Sequence, residues 1–102
     1  MPLHDFTALY QFFPETIATM SSPFTSHSFI ITLAQRHQRK YAEALYSYRN
    51  TTHQGTPAPF LNVHRELARA LRDFPQLVEY VTDVKSIDIF TQENKCSQWR
   101  KL

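Results

Sequence analysis

Between Pro23 and Gly55 the chain carries neither proline nor glycine, and its apolar residues recur at steps of three or four. Such a run favours an amphipathic helix, because that spacing returns a side chain to the same face of the cylinder. Thr25 or Ser26 is placed to accept the first free backbone N–H groups, so the helix is expected to start there and to run to about Tyr48. Its inward stripe is Phe29, Ile30, Leu33, Ala34, Tyr41, Ala44, Leu45 and Tyr48, with His37 on the same line. Gln35, Arg36, Gln38, Arg39, Lys40 and Glu43 take the wetter positions.

A second helix is expected from Phe60 to Phe74. Phe60, Val63, His64, Leu67, Leu71 and Phe74 share one face, and Arg65, Arg69 and Arg72 fall nearly opposite. Pro75 is expected to stop it, because proline lacks the N–H that the helix needs. Residues 49–59 hold Gly55, Pro57 and Pro59, which disfavour any regular element there.

The ends read differently. Asp5 is placed to cap a short helix carrying Phe6, Leu9, Tyr10 and Phe13, which Pro14 would end. Residues 15–23 read as a connector with one further turn around Ile17. In the last quarter, Tyr80, Val81, Val84, Ile87, Ile89 and Phe90 favour strands. Ile87-Asp88-Ile89 alternates as a half-buried strand does, Thr91–Lys95 is the expected turn, and Cys96–Leu102 returns as a second strand. Residues 76–81 read equally as strand or short helix.

A chain of 102 residues suits one domain, spanning 1–102, with an N-terminal helix and connector over 1–23 and the core over 24–102. Aromatic residues make up 14% of it, enough bulk to fill that core without a metal or disulfide staple. The lone Cys96 excludes an internal disulfide. No basic start followed by an apolar run marks a secretory signal, and no stretch is apolar enough to span a bilayer, so the expected compartment is the cytoplasm.

Net charge is only +2, but it is unevenly spread. Residues 24–72 carry +5, residues 1–23 carry −2 and residues 73–102 carry −1. Within the basic block, Arg65, Arg69 and Arg72 form a stripe that suits phosphates or base edges. The other reading of that stripe is a solvated helix face, with Glu66 and Asp73 near enough to pair locally. Arg36, Arg39 and Lys40, beside His37, form a second cluster with the same two readings.

Motifs for catalysis and cofactors are absent from the sequence. A chain with one glycine has no phosphate-cradling loop, and no serine sits in a glycine-flanked elbow. His4, His27, His37, His53 and His64 lack the pairwise spacing of a zinc site, and Cys96 has neither a second cysteine nor an adjacent histidine. The expectation is therefore a non-enzymatic chain with no cofactor, no metal and no small-molecule substrate. Trp99 is expected to anchor the last strand.

The order helix, helix, loop, basic helix and strand hairpin over 26–101 resembles the winged helix-turn-helix arrangement. The resemblance rests on Val63-His64-Arg65-Glu66-Leu67-Ala68-Arg69-Ala70-Leu71 as the basic helix and on Leu77-Val78-Glu79 as the approach to a wing. It implies a basic helix in the major groove and a hairpin on the DNA backbone. The chain departs from the arrangement in the long connection holding Pro57 and Pro59, where that motif has a tight turn.

The expected fold is thus mainly helical α+β, with three helices and a C-terminal β-hairpin, winged-helix-like. Phe29, Leu33, Leu45, Val63, Leu67, Leu71 and Trp99 are the expected core. Two functions stay open. One is DNA binding through Arg65, Arg69 and Arg72, aided by Arg36, Arg39, Lys40, Lys95, Arg100 and Lys101. The other is a protein-interaction or homodimer module without nucleic-acid binding, using Phe6, Leu9, Tyr10 and Phe13 or Tyr41 and Tyr48.

Overall fold

The computed structural model describes residues 6–102; Asp5, the expected cap of the first helix, lies outside them. The chain runs α1 (Thr7–Tyr10), α2 (Phe13–Thr19), β1 (Phe24–Thr25), α3 (Ser26–Arg36) and α4 (Gln38–Ser47). It continues through β2 (Thr52–His53), β3 (Thr56–Pro57), α5 (Pro59–Ala70), a 3₁₀ turn (Leu71–Asp73), β4 (Val78–Ile87) and β5 (Glu93–Lys101). The class is α+β, with five α-helices in the described residues where three were expected.

Thr25 starts α3 through a reciprocal cap. Its Oγ1 accepts the Ser28 N–H at 3.1 Å, and Ser28 Oγ accepts the Thr25 N–H at 3.1 Å, so two otherwise orphaned donors are satisfied together. The long helix expected to follow is two helices, broken at His37, whose φ of −134° and ψ of 56° leave the helical region. Tertiary contacts make this break, since no glycine or proline marks it. The His37 ring stacks on Phe12 with centroids 3.8 Å apart, and its Nε2 lies 3.0 Å from Glu15 Oε1. Breaking there lets Tyr41 and Ala44 of α4, with Tyr48 just past its end, join Phe29, Ile30 and Leu33 of α3 in one core.

Prolines act as starters as well as stops. Pro14 does not end a helix; it sits in the first turn of α2, where its missing N–H has no intrahelical partner to lose. Pro59 likewise opens α5, one residue ahead of the expected start. Residues 49–59, expected to be irregular, hold the two-residue pair β2–β3 with Thr52 opposite Pro57 and His53 opposite Thr56. Its turn needs positive φ at Gln54 (53°) and Gly55 (83°), a region glycine enters freely. The side chain of Asn62 reaches back from α5 and donates to Thr51 Oγ1 at 2.9 Å, tying the loop down.

The larger sheet has the order β1-β5-β4, antiparallel throughout. Val78–Val81 is strand, which decides the ambiguous stretch. The hairpin turns at Asp88–Gln92, three residues earlier than expected, so Ile89 and Phe90 lie in the turn and not in a strand. Asp88 explains the shift. Its Oδ1 accepts the N–H groups of Phe90 at 2.8 Å and Gln92 at 3.0 Å, and its Oδ2 accepts from Asn94 Nδ2. A local carboxylate that satisfies the backbone competes with continued strand pairing.

Six of the seven expected core residues are buried, and Leu45 is half-buried at the margin. Phe6, Leu9, Phe13 and Ile17 of the N-terminal segment pack into the same core. Each such side chain contributes roughly 1.5–3 kcal/mol of hydrophobic stabilisation. Trp99 is buried on β5, and its Nε1–H donates to the buried Ser26 Oγ at 3.0 Å, fixing the sheet to the start of α3.

Candidate nucleic-acid interface

Arg65, Arg69 and Arg72 follow one another at steps of four and three, so α5 and its 3₁₀ extension present them on one exposed side. All three line a single cleft of about 270 Å³, whose other wall is Ser97 and Trp99 of β5. No carboxylate lines that cleft. Arg69 Nη1 lies 3.6 Å from Glu66 Oε1, an exposed pair that solvent screens and that contributes little. Arg65 has no ion pair among the described residues. Three cations lining a cleft that no carboxylate lines form a surface that suits a multivalent anion.

Arg65, Ala68 and Ser97 continue into a second cleft of about 360 Å³ between α5 and β5, floored by Ser26, His27 and Ile30 of α3. Beyond it, His27, Leu61, His64 and Lys95 lead into a third cleft of about 410 Å³ at the hairpin tip, where Phe60 meets Phe90 edge-on with centroids 4.9 Å apart. The three clefts thus share lining residues in series between α5 and the hairpin, with the arginines at one end and Phe60 and Phe90 at the other. Periodicity alone could place the arginines on one side of α5, but the partnership with β5 needed the tertiary fold.

The other expected basic residues lie elsewhere. Arg36 faces Glu15 at 3.8 Å, and Arg39 faces Glu43 at 3.4 Å. Lys40 is half-buried. Arg39 lines a cleft on α4 that shares no residue with the arginine cleft of α5, and neither Arg36 nor Lys40 lines the latter. On the hairpin, Lys95 faces Asp83 at 3.5 Å and Arg100 faces Glu79 at 2.8 Å. Lys101 is structural, its Nζ donating to the Met20 carbonyl at 2.9 Å and the Ala18 carbonyl at 3.2 Å.

The fold also assembles side chains that the sequence left scattered. His27, His64 and Cys96 line the same cleft. His64 Nε2 shares a 2.6 Å hydrogen bond with the Tyr41 hydroxyl, and His27 Nδ1 lies 3.1 Å from the Ser86 carbonyl oxygen. Burial lowers the His64 pKa to about 4, with the neighbouring His27 adding to the shift and Asp88 opposing it. Burial also raises Tyr41 to about 12. No hydrogen bond joins the Cys96 thiol to either ring, so the described residues present no thiol–imidazole pair of the kind that activates a nucleophile. They also contain no group of three His, Cys, Asp or Glu side chains placed to share a metal ion. His4 lies outside the described residues.

The residues expected to offer an interaction surface are mostly core. Phe6, Leu9, Phe13, Tyr41 and Tyr48 are buried and Tyr10 is half-buried. Among the described residues no helix is long and apolar enough to cross a membrane. In comparisons with family models, with curated proteins and with solved structures, nothing matches this chain.

Proposed function

We propose that this chain is a non-enzymatic DNA-binding domain that holds duplex DNA against α5 and the β4–β5 hairpin, in the manner of a winged helix-turn-helix. The observation that carries the reading is the single cleft shared by Arg65, Arg69, Arg72 and β5. Guanidinium groups one and two turns apart on an exposed helix match successive phosphates or the acceptor edge of guanine. The order of two helices, a basic helix and a hairpin supports the same reading. The break at His37 leaves α4, a helix of 10 residues, as the helix before α5.

The test is a fluorescence-anisotropy titration of the chain with a random-sequence duplex, at low and at physiological salt. The comparison protein is the Arg65/Arg69/Arg72→Ala triple variant. The expected result is binding that weakens steeply with salt and that the variant loses. Absence of binding at low salt, or equal binding by the variant, overturns the proposal.

A further inference from the structure

β4 forms the outer edge of the sheet, hydrogen-bonded to β5 on one side only. Along that edge Val81 and Ile87 are 43% and 50% exposed, and Asp83 and Lys85 are exposed between them. An open edge presents unpaired N–H and C=O groups, which is a template for another strand. At the hairpin end, the Asp88 N–H donates across to the Gln92 carbonyl at 2.8 Å. Antiparallel ladders alternate bonded and non-bonded pairs, so Ile87, Lys85 and Asp83 direct their backbone groups outward.

The sequence of this segment is complementary to its own reverse. When Val81-Thr82-Asp83-Val84-Lys85-Ser86-Ile87 is laid antiparallel on a second copy and centred on Val84, Val81 meets Ile87, Thr82 meets Ser86 and Asp83 meets Lys85. The charges make this register specific. An edge lysine usually guards a strand by forcing an incoming strand to meet an unpaired charge. Here the two-fold axis brings Asp83 to the place where the partner's lysine lands. Lys85 has no ion pair of its own among the described residues and sits in register with Lys95, a like charge. Asp83 Oδ1 accepts the Tyr80 hydroxyl at 2.9 Å and Oδ2 faces Lys95 at 3.5 Å, leaving the exposed carboxylate open to a second cation. Val81, the bulged residue between Tyr80 and Thr82, ends the segment on one side, and the Asp88 turn bounds it on the other.

We infer that two copies of this chain associate through β4, as an antiparallel two-fold pair centred on Val84 with Asp83 opposite Lys85 of the second copy. Each dimer then has two opposite-charge pairs, two Val81–Ile87 pairs, one Val84–Val84 pair on the axis and a continuous sheet running through both copies. This inference stands apart from nucleic-acid binding and is tested without DNA.

The experiment is sedimentation equilibrium of the full chain up to about 1 mM, the range where weak strand pairing is populated. The variants are Lys85→Glu and Asp83→Lys, with circular dichroism to confirm that each folds. Each variant alone places like charges in both pairs, and dimer affinity is expected to fall by about tenfold or more. Their equimolar mixture restores both opposite pairs and should dimerise as the wild type does. Amides of Asp83, Lys85 and Ile87 should gain exchange protection as wild-type concentration rises. A wild type that stays monomeric throughout overturns the inference. So do single variants that dimerise unchanged, or a mixture that stays monomeric.

Discussion

The Tyr41 hydroxyl and His64 Nε2 lie 2.6 Å apart, a bond that joins α4 to α5. Burial holds the His64 pKa at about 4, below its ordinary 6.5, so the folded chain keeps this ring neutral. The unfolded state then binds more protons between the two values, and stability rises with pH across that window. The stabilisation is complete above pH 6.5 and is lost as pH falls toward 4. Its size is on the order of 3 kcal/mol, from the free-energy equivalent of the shift. Nuclear magnetic resonance should show the His64 ring titrating near pH 4, and a His64→Phe variant should have a flatter acid limb in thermal unfolding. A ring midpoint near 6.5 would remove the effect. At the alkaline end the sign is opposite in pH: Tyr41 is raised to about 12, so its contribution is present below pH 10 and lost as pH rises through 12.

Ser26 and Trp99 make a second buried link, and it isolates well in a double-mutant cycle. Replacing Ser26 by Ala leaves the Trp99 indole N–H buried without its acceptor, which costs about 1–3 kcal/mol. In a Trp99→Phe background the same Ser26→Ala change has no N–H to orphan, so its cost should shrink toward zero. Urea denaturation of the four proteins reads the coupling. Equal costs in both backgrounds would mean that the hydrogen bond contributes nothing.

Leu67 shows what the sequence made legible. It is fully buried on the inward face of α5, as its position in the apolar stripe required. Leu67→Ala is expected to destabilise the chain by about 2–5 kcal/mol, since the closely surrounded site relaxes only in part. An unchanged midpoint in chemical denaturation would place Leu67 outside the core.

Periodicity found α5, the burial of Leu33, Val63, Leu67 and Leu71, and the hairpin, because each follows from local spacing. Three features are not carried by apolar spacing. The break at His37 comes from Phe12 and Glu15, and the only sign of it in the sequence is that the stripe between Ala34 and Tyr41 holds nothing apolar except that histidine. In the sequence Pro14 reads as a stop, because proline's two roles look alike until the flanking helices are known. The turn lies earlier than composition suggests, because Ile89 and Phe90 favour strands while Asp88 captures the backbone first. At the candidate interface, spacing was enough to put Arg65, Arg69 and Arg72 on one face. The wall of Ser97 and Trp99, and the separation from Arg36 and Arg39, were fixed only by the fold.

That separation gives the sharpest test of the proposed DNA surface. Arg65 has no ion pair among the described residues and lines both the arginine cleft and the cleft beside it. Arg36 sits at the end of α3 facing Glu15 at 3.8 Å. Arg65→Ala should leave the melting temperature almost unchanged, because exposed substitutions of this kind stay within about 0.5 kcal/mol. It should weaken duplex binding at every sequence tested and lower the salt dependence by about one unit of slope, the signature of one lost phosphate contact. Arg36→Ala should leave both affinity and slope close to wild type. Salt titrations of the two variants side by side decide the point. Equal losses would mean that binding follows net charge and has no preferred face. A loss confined to Arg36→Ala would move the binding face from α5 to the α3–α4 junction.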